Sequence, residues 1–173
     1  QNNHIEKQLD DLLNTAFKPT EPGFTVLIAK DGKIIYKKAF GSANLELNVP
    51  LKPDLVFKLA SITKQFTAVA ILQLAKKGKI SLQDSIQKFI PDYPSQKQTI
   101  TIENLLAHSS GIRDYMQINY LNPYMERWDF TPKQLIDSFQ YFPLDFEPGI
   151  AFSYSNSNYY LPGYIIEKVT GKS

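Results

Sequence analysis

Ser61 and Lys64 stand three residues apart in the run Phe57-Lys58-Leu59-Ala60-Ser61-Ile62-Thr63-Lys64. On a helix that spacing puts both side chains on one face, where they can meet. A serine hydroxyl is a weak nucleophile until a neighbouring base takes its proton. A free lysine, with a pKa near ~10.4, holds its own proton too tightly to be that base near neutral pH. Burial disfavours the ammonium form, and so does the positive end of a helix dipole. The same dipole, with the free N–H groups of a first turn, favours negative charge growing on a substrate oxygen beside Ser61. One placement thus activates the base and stabilises the transition state, and it points to covalent catalysis.

The segment that must position the pair is the one it heads. Lys64 is the only charged residue between Leu59 and Ala75, and the rest of that run is apolar or small and polar. It reads as a helix over 61–77, buried on nearly every side. Gly78 closes it, with Lys76 and Lys77 in the last turn. It is too short, and too polar at its start, to span a bilayer. A second match to the same spacing, Ser85-Ile86-Gln87-Lys88, follows the polar stretch Ser81-Leu82-Gln83-Asp84. No apolar helix is at hand there to desolvate Lys88. Ser61 is therefore the candidate nucleophile, and the competing structural reading makes Ser61 an N-cap and Lys64 a snorkelling lysine.

Composition narrows the classes further. The chain has 173 residues, 43% hydrophobic and 21% charged, enough for one globular domain with a core. A net charge of +2 is too mild to suggest nucleic acid or an anionic membrane as partner. There is no cysteine, which excludes disulfides, thiol catalysis and thiolate metal sites. The histidines are His4 and His108, without an H-E-x-x-H, so neither a metal nor a cofactor is expected. No transmembrane span or signal peptide is seen. The polar start Gln1-Asn2-Asn3 fits a mature end left by cleavage, which makes the expected location periplasmic or extracellular.

Around the central helix the elements follow in order. Ile5, Leu9, Leu12, Leu13 and Ala16 recur at helical spacing over 4–17, and Pro19 and Pro22 end that helix. Residues 24–29 and 34–40 are β-type runs joined around Asp31-Gly32, a hairpin signal. Residues 41–54, with Pro50 and Pro53, read as a loop. Short helical pieces follow the central helix. One spans 81–89, one starts from Thr101 as N-cap and carries Leu105 and Leu106, and one starts at Thr131-Pro132 and runs to about Gln140. Glu147-Pro148-Gly149 marks a turn, Phe152-Ser153-Tyr154 an extended stretch, and 159–169 a return to helical spacing before Gly171. The whole reads as one α+β domain, with a sheet portion over 1–57 and a helical portion over 58–173.

Three stretches in this order resemble the serine β-lactamase and penicillin-binding-protein-like hydrolases, in the class C and D-alanyl-D-alanine peptidase branch. The first is Phe57 to Lys64. The second is Leu105-Leu106-Ala107-His108-Ser109-Ser110-Gly111-Ile112, similar to that branch's L-L-x-H-x-S-G-[IL] stretch. The third runs from Pro148-Gly149 through Tyr154-Ser155-Asn156 to Tyr159 and Gly163-Tyr164-Ile165-Ile166-Glu167, and looks like its Y-x-N box. The resemblance implies that Ser61 is the acylated nucleophile and Lys64 its proton partner. It implies that Tyr154 moves protons between Ser61 and the leaving group, and that Asn156 bonds Lys64 and the substrate amide. A phenol can do that work if a nearby cation lowers its pKa. A second Tyr-x-Asn, Tyr120-Leu121-Asn122, lies among asparagine and proline and needs no catalytic explanation. His108 is not read as part of a Ser-His-Asp triad with Ser109 or Ser110, because adjacent residues cannot aim at each other as a triad must. It is expected to be structural, bonded to backbone in a turn.

The implied activity is a serine hydrolase acylating on β-lactams, D-Ala-D-Ala peptides or esters. The alternative is a penicillin-binding or sensing module of the same fold that does not turn over. Two departures qualify the match. Pro162 falls inside the last helical stretch, so that helix should start near Leu161 or kink there. The family's third box, [KH]-[ST]-G, is absent, and Thr170-Gly171-Lys172 is not it. The resemblance therefore implies an N-terminal part of the fold, lacking its C-terminal strands and helix and so one oxyanion-hole donor. A poor catalyst by itself is expected, with a missing segment or a second chain completing the sheet.

Overall fold

The computed structural model describes residues 2–95, 97–118 and 129–172. The chain forms two compact units, Gln1–Lys58 and Leu59–Ser173. In the first, helix α1 (Asn2–Ala16) precedes strands β1 (Phe24–Lys30) and β2 (Lys33–Phe40), which pair antiparallel from Phe24 opposite Phe40 to Lys30 opposite Lys33. Asp31 and Gly32 make the turn with φ of 51° and 74°, the two positive values a two-residue hairpin needs to match strand twist. Asp10 ties α1 to β2: one carboxylate oxygen accepts from Tyr36 Oη at 2.7 Å and the other from Lys38 Nζ at 2.6 Å. Each strand's only ladder partner among the described residues is the other, so both outer edges are open there.

The stretch 41–54 is not all loop. Strand β3 (Ser42–Asn44) pairs antiparallel with β4 (Val49–Pro50). Ser42 Oγ lies 2.9 Å from the carbonyls of both Asn44 and Val49, and Asn44 Oδ1 accepts the Leu47 N–H at 2.7 Å. Pro50 stands at the end of this two-stranded ribbon, a position where a missing N–H is tolerated. Side-chain bonds from Ser42 and Asn44 close a ribbon that the prolines alone argued against.

The second unit is helical. Helices α2 (Thr63–Lys76), α3 (Ile102–Leu106), α4 (Pro132–Phe139) and α5 (Ser157–Thr170) enclose a core of Ile71, Leu74, Ile86, Ile100, Ile102, Leu105, Ile136, Phe139, Leu161 and Ile165, among others. Thr101 caps α3 and Thr131 caps α4. Each accepts from the backbone N–H three residues on while Asn104 or Gln134 reaches back, a reciprocal box that satisfies two orphan donors. Gly78 and Gly171 follow α2 and α5 with φ of 67° and 68°, the left-handed exit expected past a helix end.

Three further expectations change. The stretch 81–89 is not a helix: it holds a single 3₁₀ turn, Ile86–Lys88, that begins where the Ser85 side chain caps it. Helix α2 is not buried on nearly every side: Ile71 and Leu74 are buried, while Phe66, Val69 and Leu72 are 59%, 52% and 49% exposed. Its inner face meets α5. An apolar run records the solvent a helix avoids but not which element covers each side. Helix α5 starts at Ser157, not near Leu161, and Pro162 lies buried in its second turn. The Tyr159 and Tyr160 N–H groups bond to the Asn156 carbonyl, and Ser157 Oγ donates to the Arg113 carbonyl at 2.7 Å. These anchors begin the helix early, and it continues through the one bond that proline removes.

Candidate active site

The expected nucleophile sits on a single 3₁₀ turn, Ala60–Ile62, directly before α2. Lys64 follows three residues on, in the first turn of α2, a spacing that puts the two side chains on one face. Ala60 has φ of 46°. A residue with a Cβ pays about 1–2 kcal/mol for that left-handed conformation, and such strain gathers at functional turns. The sequence carried no glycine to announce it.

Four predicted residues converge. Ser61 Oγ and Tyr154 Oη are 2.6 Å apart. Lys64 Nζ donates to Asn156 Oδ1 at 2.8 Å and reaches Ser61 Oγ at 3.3 Å. Lys64 Nζ also lies over two rings, 4.8 Å from the centroid of Tyr154 and 5.8 Å from that of Tyr159. The Lys64 ammonium, and after it the bond to Ser61, holds the Tyr154 phenol below its usual value of 10.0. Of the two groups beside Ser61 Oγ, that phenol is the nearer. The site opens to solvent, with Ser61 exposed and Tyr154 42% exposed, beside a shallow cavity of about 160 Å³ lined by Thr63, Thr67, Tyr115, Asn156 and Tyr160, among others.

The segment carrying Tyr154 and Asn156 is held by the stretch around His108. Gly149 N–H donates to the Ser109 carbonyl at 2.7 Å, Asp145 N–H to that of Gly111 at 2.8 Å, and Ser153 N–H to that of His108 at 2.9 Å. Gly111, at φ of 76°, lies so close to the Phe146 carbonyl that a Cβ would stand 2.0 Å from the oxygen. His108 is buried, with φ of 55°. Its Nδ1 accepts the Ser155 N–H at 3.2 Å, and its ring lies 4.6 Å from the Tyr154 ring and 5.0 Å from that of Tyr159. It is a structural histidine in a turn, as its neighbours implied, and its proximity to Tyr154 was not legible beforehand. Burial, and then the Lys64 charge, lowers its pKa from 6.5.

The competing Ser85 and Lys88 serve elsewhere. Ser85 Oγ caps a short turn by accepting the Gln87 N–H, and Lys88 pairs with Asp84 at 2.8 Å. The other Tyr-x-Asn, Tyr120 to Asn122, lies outside the described residues. One functional candidate escaped sequence reasoning. Asp114 is buried and accepts from Asn156 Nδ2 at 2.9 Å. Its signal was a lone carboxylate following the second stretch, Gly111-Ile112-Arg113-Asp114. Among the described residues no group of three or more His, Asp or Glu side chains is arranged to hold a metal, and no helix is long and apolar enough to cross a membrane.

A helix and hairpin leading into a helical unit with this cluster at the head of α2 match the β-lactamase and penicillin-binding-protein-like fold. The chain belongs to the Beta-lactamase family, whose model matches residues 3–173. It is 36% identical over 173 residues to Penicillin-binding protein 4* of Bacillus subtilis (strain 168), covering 96% of this chain and 37% of that protein. Among solved structures, the octameric penicillin-binding protein homologue from Pyrococcus abyssi superposes with a TM-score of 0.78 at 32% identity, over 100% of this chain and 40% of that one. The D-stereospecific amidohydrolase from Streptomyces sp. does so with a TM-score of 0.76 at 33% identity, over 96% and 50%. The chain spans 35% to 37% of the length of the curated relatives it matches. Its relatives include hydrolases.

Proposed function

We propose that Ser61 is the nucleophile of a serine hydrolase that works through an acyl-enzyme, on the carbonyl of a β-lactam, a D-Ala-D-Ala peptide or an ester. The observation that carries this reading is the 2.6 Å separation of Ser61 Oγ from a Tyr154 phenol made more acidic by Lys64. Tyr154, as phenolate, takes the Ser61 proton while Oγ bonds to the substrate carbonyl carbon. The tetrahedral oxyanion collapses, the bond to the leaving nitrogen or oxygen breaks, and Tyr154 returns the proton to that atom. Water then attacks the ester on Ser61 with Tyr154 as base, and Ser61 leaves carrying the proton back. Lys64, held by Asn156, balances the phenolate charge.

An oxyanion hole needs two converging donors, and on this reading Ser61 N–H is the one candidate among the described residues. Losing one donor costs about 10²–10³ in rate. On this reading residues 1–173 alone acylate slowly, and further strands, from a longer chain or a second one, pair with the hairpin. The test is peptide mass spectrometry after incubation with a β-lactam and with a p-nitrophenyl ester. A mass adduct on the peptide containing Ser61, absent in Ser61→Ala, is expected. Labelling elsewhere, or none with either reagent, overturns the assignment. An adduct that never hydrolyses would favour the sensing alternative.

A further inference from the structure

Asn156 is the hinge of the cluster, and an amide side chain can face either way unless its partners forbid it. Its Oδ1 accepts from Lys64 and its Nδ2 donates to Asp114 Oδ2. An ammonium only donates and an ionised carboxylate only accepts. One orientation satisfies both; the flipped amide would set donor against donor at Lys64 and acceptor against acceptor at Asp114. Asp114 is itself anchored. Its Oδ1 accepts the Met116 N–H at 3.0 Å, and the chain on either side is clipped to α5, with Ser157 Oγ donating to the Arg113 carbonyl and accepting the Tyr115 N–H at 3.0 Å. Asp114 is buried, at 7% exposed, so water competes little for its side chain.

We propose that Asp114 is a positioning residue that fixes the Asn156 amide in the orientation that seats the Lys64 ammonium against Tyr154. This rests on the reading of Ser61 as the acylated residue. Asp114 touches neither substrate nor Ser61, and acts only through Asn156. A cap alone would not require a carboxylate: any side-chain acceptor serves the Met116 N–H, whereas a carboxylate, unlike an amide or a hydroxyl, can only accept and so opposes the flipped amide at this end as Lys64 does at the other.

The test is a kinetic double-mutant cycle in the intact protein, reading the acylation rate of Ser61 with a p-nitrophenyl ester. Asp114→Asn preserves shape and an acceptor for Met116, but offers a donor that tolerates either orientation of Asn156. It is expected to slow acylation roughly 10- to 100-fold, the effect of losing one buried charge-assisted bond. In an Asn156→Ala background the same substitution should change the rate by less than about twofold, because the route through Asn156 is already gone. Asp114→Ser, which keeps a cap for Met116 but is too short to reach Asn156, should behave alike and serves if Asp114→Asn does not fold. Equal losses in both backgrounds would mean a general structural role and overturn the proposal, as would an unchanged rate in the single variant. If the unmodified protein carries no adduct on Ser61, the reading of the site fails first. If it does and the cycle is additive, only the role of Asp114 fails.

Discussion

Nδ1 of His108 accepts the backbone N–H of Ser155 at 3.2 Å, so a buried imidazole holds the residue that links Tyr154 to Asn156. A protonated ring would turn that nitrogen into a donor facing a donor. Lys64, Asp114, Tyr154 and Tyr159 surround the ring, and burial followed by the Lys64 charge lowers its pKa below 6.5. The unfolded chain then binds this proton more readily than the folded one. Stability is full above about 6.5, falls as pH drops through the interval between the two values, and levels off below the folded one. Thermal unfolding between pH 8 and pH 5 should show this loss. His108→Asn, whose Oδ1 can replace Nδ1 and which tolerates φ of 55°, should remove this part of it. An unchanged pH slope in that variant would refute the role.

Lys64 lowers the Tyr154 pKa, so acylation should rise with pH through a limb set below 10. In Lys64→Met the cause is removed, and the limb should move to higher pH with a lower rate at neutrality. Tyr154→Phe should slow acylation by about 10²–10⁴ at every pH and abolish the limb, while leaving the melting temperature nearly unchanged because the ring is 42% exposed. Stopped-flow acylation across pH 6 to 11 measures both. A limb that stays in place without Lys64 would remove the phenolate from the mechanism.

Ser61→Ala should eliminate covalent labelling. Ser85→Ala should leave labelling intact and cost about 1 kcal/mol of stability, since Ser85 Oγ only caps the turn through Gln87. Intact-mass measurement after β-lactam treatment separates the two. Equal loss of label in both variants would expose a folding effect mistaken for chemistry.

Two glycines should respond oppositely to alanine. Gly111→Ala drives a Cβ to 2.0 Å from the Phe146 carbonyl at φ of 76°, and should cost about 3 kcal/mol or more. A Cβ added at Gly163, inside α5, would meet nothing within 4 Å. Its alanine variant should gain roughly 0.5–1 kcal/mol. Urea denaturation gives both values, and a neutral Gly111→Ala would contradict the close approach.

Local order was legible in the residues themselves. Asp31-Gly32 dictated the hairpin because few other residues adopt two positive φ values in succession. Thr101 and Thr131 dictated the starts of α3 and α4 because a hydroxyl there satisfies an otherwise orphaned N–H. The pairing of Ser61 with Lys64, and the choice of both over Ser85 and Lys88, followed from spacing and from the apolar run behind them. What lay 92 or more residues away could be named by resemblance, but not placed. Only the tertiary structure set Tyr154 2.6 Å from Ser61 and Asn156 2.8 Å from Lys64. It also brought Asp114 under Asn156 and His108 against Tyr154, contacts that no local pattern encodes. The exposure of Phe66, Val69 and Leu72 marks the same boundary. Hydrophobicity is a property of each residue, whereas burial depends on which other surface arrives to cover it.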